Sequence, residues 1–165
     1  MTQKSKANEK ALSYFISLQE SRPADSRDFS PQKWDQRAEF WKKERVNRRK
    51  GDERVVSAVS YLEERRLLRP DFDVADIGCG PGRFAAAFAR RVHRVVGLDI
   101  SEKMVAHGME YLNQKQLTNA SLRTCDFQTL DIDKEGYRKA FDLVFSSMTP
   151  ALRGIDNLKK SMEIS

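Results

Sequence analysis

Between Asp73 and Gly82 the chain reads DVADIGCGPG: a short apolar run, then three glycines at alternate positions, and from Arg83 a helical spacing of Phe84, Ala87 and Phe88 takes over. A short apolar run that gives way to a 3.6 period across glycines predicts strand, tight turn and helix. The glycines let the chain turn sharply, and with no Cβ in the way a ligand can lie against the backbone. The alternation then repeats. Strands are predicted near 73–77, 94–98, 121–125 and 141–146, and helices at about 83–91, 101–115 (Ser101 as cap, then Val105, Met109 and Leu112) and 154–163. Such a series specifies βαβ units and a parallel sheet. With 165 residues the chain has material for one core and no second enzymatic domain.

Ahead of residue 71 the texture is helical. Asn8 can cap a helix running to about Glu20, and the turn formers of SRPADSRDFSP follow. Ser30 before Pro31 is a strong helix start, because proline lacks an N–H at a position where it has no helical partner. Trp34, Ala38 and Trp41 then recur at i, i+4 and i+7, an inward stripe expected to end at Gly51. A third helix is expected from Asp52 to Pro70, with Val55, Val59 and Leu62 on one side. These boundaries divide the chain into a helical extension or cover, 1–70, and a sheet domain, 71–165.

Net charge is +6, and its distribution is lopsided: residues 1–69 hold 17 basic and 11 acidic side chains, residues 70–165 hold 13 of each. Lys42, Lys43, Arg45, Arg48, Arg49, Lys50 and Arg54 fall close together. They read either as a phosphate footprint or, with Glu44, Asp52 and Glu53 interspersed, as a solvated helix face. No apolar run is long enough for a bilayer, and ALSYFISL at 11–18 fits a helix face better than a secretion signal. Cys79 and Cys125 have no partner at metal-ligand spacing, so neither zinc nor a disulfide framework is expected and a cytoplasmic location is the default.

Three acids fall at predicted strand ends. Asp76 precedes the glycines by two residues; the third glycine of a dinucleotide GxGxxG would fall on Arg83, so the turn suits a cationic nucleoside better than NAD. Asp99, 19 residues beyond Gly80, closes the second strand where an acid can accept both ribose hydroxyls, and Ile100 can pack on a purine face. Asp126, after Cys125, can accept from an exocyclic amine while a neighbouring N–H meets a ring nitrogen. Carboxyl ends at the switch point of a doubly wound sheet share one crevice.

The loop DIGCGPG, the acid in GLDIS, the acid in TCDF and the strand FDLVFSSM resemble the successive motifs of the class I S-adenosylmethionine-dependent methyltransferases, over about residues 71–150. The resemblance implies a Rossmann-like, doubly wound α/β fold with strand order 3-2-1-4 and S-adenosylmethionine as cofactor. It implies that Gly78, Cys79, Gly80 and Gly82 flank the methionine portion with Asp76 near its ammonium. By the same likeness Asp99 binds ribose, Ile100 and Phe127 border adenine, Asp126 holds the amine, and Ser146 and Ser147 open onto the methyl group. The family's sheet has seven strands, in the order 3-2-1-4-5-7-6, and only four are found before Ser165. The expectation is therefore a truncated chain or a short variant completed by association, as a homo-oligomer, along the 141–146 edge.

Methyl transfer is an in-line displacement on an already activated sulfonium, so alignment and exclusion of water matter more than a catalytic acid. His93 and His107 read as ordinary histidines, Cys79 and Cys125 as packing groups, and no catalytic residue is assigned. Ser147-Met148-Thr149-Pro150 stands where many amino and amide methylases carry (N/D/S)PP(Y/F), which favours a small-molecule acceptor over nucleic acid. The alternatives are a cofactor-binding module without turnover and an RNA or protein methyltransferase using the basic helices.

Overall fold

The apolar runs form the strands, and their alternation decides which helix covers which face. The computed structural model describes residues 29–47 and 49–165. The strands are β1 (Asp73–Ile77), β2 (Arg94–Asp99), β3 (Ala120–Thr124) and β4 (Leu143–Ser146), all parallel, in the order β3-β2-β1-β4. The helices are α1 (Pro31–Asn47), α2 (Arg49–Glu64), α3 (Arg83–Phe88), α4 (Glu102–Gln114) and α5 (Ile155–Glu163). This is the expected Rossmann-like arrangement.

Val74, Val95, Leu122, Leu143 and Phe145 face one side and pack with Val59 and Leu62 of α2, Phe88 of α3 and Leu112 of α4. Ala75, Ile77, Val96, Leu98 and Val144 face the other, against Phe127, Ile132, Tyr137, Phe141 and Ile164. Strands apolar on both faces are what a parallel sheet covered twice requires. Phe145 of β4 meets Phe84 and Phe88 at ring-centroid distances of 4.7 and 4.9 Å, tying α3 to β4.

Some boundaries differ from expectation. Gly51 does not end the first long helix but lies inside α2, which begins at Arg49. That helix stops at Glu64, well before Pro70: Leu67 N–H bonds to Leu62 O and Arg66 N–H to Glu63 O, with Arg66 at φ 56°, a Schellman stop. Gln116 ends α4 the same way. Helix α3 ends at Phe88 rather than near 91, and β4 begins at Leu143, because Phe141 N–H is taken by Ile164 O and Asp142 N–H by Asp73 O. The helix expected from Asn8 to Glu20 lies outside the described residues.

Ser30 and Ser101 do cap α1 and α4, accepting from Lys33 N–H (3.4 Å) and Met104 N–H (3.1 Å). Helix α1 lies on α4 through side chains spaced i, i+4 and i+7. Asp35 accepts from the Ser101 hydroxyl (2.5 Å) and Lys103 N–H (3.2 Å), Glu39 pairs with His107 (2.9 Å), and Lys42 with Glu110 (3.3 Å). Ala38, fully buried, sits in the seam. The Ser101 hydroxyl and the neighbouring N–H hold the Asp35 carboxyl below its ordinary range. This docking swings the adjacent stripe, Trp34 and Trp41, over the carboxyl end of the sheet.

Candidate functional site

The order in which strands are added reverses between β1 and β4, since β1 leads to β2 and β3 on one side while β4 lies on the other. A cavity of about 140 Å³ opens at that place. Its floor is Gly78, Cys79, Gly80 and Pro81; one wall is Leu98, Asp99 and Ile100 from β2 with Cys125, Asp126, Phe127 and Gln128 after β3. The other wall is Ser147 to Ala151 after β4, and α1 and α2 roof it with Trp34, Trp41, Arg54 and Val55.

Gly78, Cys79, Gly80, Asp99, Ile100, Asp126 and Phe127 thus meet around one space. Asp76, Gly82 and Ser146 do not line it; Ser147, the next residue after Ser146, does.

The three loop glycines have different reasons. All have positive φ, 72° at Gly78, 52° at Gly80 and 72° at Gly82, where a side chain is strained. A Cβ on Gly78 would lie 2.2 Å from Thr149 Oγ1, so the loop after β4 fills the space that this glycine vacates. At Gly82 the neighbours are Leu122 and Gly108, where α3 and α4 approach closely. Only at Gly80 would a Cβ meet nothing within 4 Å, which leaves that face to a ligand.

Four backbone N–H groups of the loop bond within the protein. Gly78 and Cys79 N–H both bond to Leu98 O (2.7 and 3.1 Å), Gly82 N–H to Cys79 O (3.1 Å) and Gly80 N–H to Asp99 Oδ2 (2.8 Å). Asp99 Oδ1 accepts from Ser101 N–H (2.9 Å), which leaves each carboxylate oxygen a further lone pair. Burial raises the Asp99 pKa, against the lowering by these two N–H groups. Asp126 Oδ1 accepts from Gln128 N–H (2.9 Å), and Lys160 from α5 donates to Phe127 O (3.1 Å) and Gln128 O (2.7 Å), fixing this segment from below.

Asp76 is 2% exposed, beneath the loop. It accepts from Ala85 N–H in the first turn of α3, whose N-cap is Gly82 and has no side chain to offer. Its Oδ2 is buried with no hydrogen-bond partner among the described residues. Burial, with the nearby Asp99 charge adding to it, pushes its pKa up to about 7. Burial likewise raises the Cys79 thiol, with Asp76 and Asp99 acting in the same sense, and burial raises Cys125, so neither favours thiolate.

Sequence reasoning passed over Arg83, Met148 and Thr149 as site groups, and read Arg54 only as part of a basic cluster. Arg54 reaches the Met148 sulfur (2.6 Å), joining α2 to the loop after β4. Arg83 was the residue that broke the dinucleotide pattern, and this was the one signal it gave.

A strand-end cavity with an acid at the carboxyl end of each of two strands, a glycine floor and order 3-2-1-4 is the arrangement of the class I S-adenosylmethionine-dependent methyltransferase fold. Residues 74–163 match the family described as methyltransferase domain, and the chain belongs to that family. It is 28% identical over 103 residues to a ubiquinone biosynthesis O-methyltransferase of Acinetobacter baumannii, covering 62% of this chain and 40% of that one. It is 31% identical over 78 residues to a 23S rRNA (uracil(1939)-C(5))-methyltransferase of Alcanivorax borkumensis, covering 47% and 17%. The YcgJ protein from Bacillus subtilis superposes with a TM-score of 0.52 at 21% identity, over 64% of this chain and 42% of that one, and so shares the fold. The chain therefore spans well under half the length of the curated relatives it matches. The residues present fit the family cofactor, S-adenosylmethionine: the face of Gly80 is open to a ligand, and the unpartnered Asp76 Oδ2 lies beneath a loop with room for a cation. No helix among the described residues is long and apolar enough to cross a membrane.

Proposed function

We propose that this chain binds S-adenosylmethionine in the roofed cavity and transfers its methyl group to a small-molecule acceptor. The observation that carries the reading is the convergence of Asp99 and Asp126, both at strand carboxyl ends, on one cavity floored by Gly78 to Gly80. When bound, the cofactor supplies an electrophilic methyl on a sulfonium with a good leaving group.

The remaining work falls to the chain. Asp99 accepts the ribose hydroxyls with the lone pairs left after Gly80 and Ser101 N–H. Ile100 and Phe127 border the adenine, and Asp126 takes its amine. Gly78, Cys79 and Gly80 seat the methionine portion. Asp76 and Gly82 act from outside the cavity wall, the first as a buried carboxyl under the ammonium, the second by letting α3 approach α4. Ser146 aims Ser147 and the loop after β4 at the methyl group. Trp34 and Trp41 shield it from water, a role suited to large rigid rings on a docked helix.

A small acceptor is favoured because α1 and α2 roof the cavity, which suits a ligand that enters whole better than a polymer that must lie across it. The relatives are named for unlike roles, ubiquinone biosynthesis in one case and methylation of 23S rRNA in another, so kinship does not select an acceptor. Calorimetry with S-adenosylhomocysteine tests the binding, with NAD as control: tighter NAD binding overturns the reading. Turnover is read from S-adenosylhomocysteine formed with candidate acceptors. Steeply salt-dependent RNA binding, linear in log-log form, would transfer the choice to nucleic acid.

A further inference from the structure

Two cationic side chains in the cavity are not used by the reading above. We infer that Arg54 and Arg83 form an oxyanion subsite for a carboxylate or phosphate carried by the methyl acceptor, an inference that rests on the cofactor reading and specifies its substrate class.

Both arginines line the cavity, Arg54 against the segment after β4. Arg54 touches Met148 after β4, and Arg83 is followed by Phe84, whose ring lies 4.7 Å from Phe145 of β4. The acids suited to the nucleoside, Asp99 and Asp126, follow β2 and β3 on the opposite side of β1. The cavity is therefore polarised, negative where adenosine would lie and positive where an acceptor would approach the methyl.

The Nη2 of Arg83 is buried and has no hydrogen-bond partner among the described residues. A guanidinium donor withdrawn from water without an acceptor is costly, and a planar oxyanion is the ligand its fork matches best. Arg54 cannot relieve it, since it brings a second positive charge and its own described partner is a thioether, a weak acceptor. Trp34, Trp41 and Phe84 also line the cavity, and their rings suit an acceptor whose body is apolar and flat with the anion at one end.

One other oxyanion could occupy these arginines, the carboxylate of the cofactor's own methionine portion. The test separates the two. Calorimetry compares cinnamate with cinnamamide, and phenyl phosphate with phenol, with and without saturating S-adenosylhomocysteine. We expect each anion to bind at least about tenfold tighter than its neutral mate, a modest value for a charge-assisted pair. Arg54→Gln and Arg83→Gln should each bring that ratio towards one while leaving the affinities for S-adenosylhomocysteine and 5′-methylthioadenosine unchanged. Arg54 is exposed, so its variant keeps the test sound if Arg83→Gln folds poorly. Anions that bind no better than their neutral mates, or do not bind, overturn the inference. So does weakened S-adenosylhomocysteine with unaltered methylthioadenosine, which would assign the arginines to the cofactor's carboxylate. Failure of S-adenosylhomocysteine itself to bind refutes the cofactor reading separately.

Discussion

Asp76→Asn should make the ligand-free protein more stable above neutral pH, although it alters the first acid of the glycine-loop motif. The carboxyl titrates from an ordinary 3.8 when unfolded to about 7 when folded, because it is buried and shares its surroundings with Asp99. A folded pKa above the unfolded one means that the native state holds the proton more tightly, so stability is greatest below pH ~4 and declines as pH rises through about 7. At about 1.4 kcal/mol per tenfold difference in proton affinity, the full loss is on the order of 4 kcal/mol, and the part falling between pH 5 and pH 8 is roughly 2 to 3 kcal/mol. Asparagine keeps the acceptor for Ala85 N–H and has no charge to bury, so that pH-dependent portion disappears. For a chain of this size the melting temperature of Asp76→Asn relative to the parent should rise by roughly 5 to 10 °C between pH 5 and pH 8. Paired thermal melts by circular dichroism at several pH values measure this directly. A difference between the two proteins that stays constant with pH would show that Asp76 is not held protonated by its surroundings, and would refute the reasoning.

Asp99→Ala should weaken S-adenosylhomocysteine by about 1 to 3 kcal/mol in calorimetry, the range for hydrogen bonds to a charged group; unchanged affinity would remove Asp99 from the ribose role. Gly78→Ala should lower the melting temperature more than Gly80→Ala, because its methyl would strike Thr149 whereas that of Gly80 enters open space. Adding Thr149→Gly should recover part of the Gly78→Ala loss, and Gly80→Ala should chiefly lower ligand affinity at a strain cost of about 1 to 2 kcal/mol. Equal losses in both single variants would contradict the contact with Thr149. Tryptophan fluorescence should change on adding S-adenosylhomocysteine in both Trp34→Phe and Trp41→Phe; silence in both would mean that the roof does not sense the ligand.

The strands, their apolar faces and the glycine turn were legible because they rest on local rules. A short apolar run, glycine where φ must be positive, and Ser101 before a helical run each act over a few residues. The helix stops were less so. Arg66 and Gln116 take the left-handed position that glycine usually fills, so α2 and α4 end with no glycine to mark the place. Gly51, conversely, looked like a stop and lies within a helix, because a single glycine costs only about 1 kcal/mol there and packing of Val59 and Leu62 on the sheet outweighs it.

At the site the sequence named Gly78, Cys79, Gly80, Asp99, Ile100, Asp126 and Phe127, which do surround one cavity, since topology brings strand carboxyl ends together. It could not show that Asp76 lies under the loop and bonds to Ala85, or that the loop's N–H groups turn inward to Leu98 and Asp99, because partners that distant in sequence are chosen only when β2 is laid beside β1. Asp35, Glu39 and Lys42 had the spacing of a helix face, but nothing local says that Ser101, His107 and Glu110 would meet it. The sequence by itself determined the elements and the loop that can receive the cofactor, which follow from periodicity and backbone freedom, and it implied the sheet order through the resemblance of its motifs to the family. The tertiary structure decided the roof, the inward turn of the loop and the pairing of Arg54 and Arg83 in one cavity, because each depends on charge and shape meeting across residues that the chain keeps far apart.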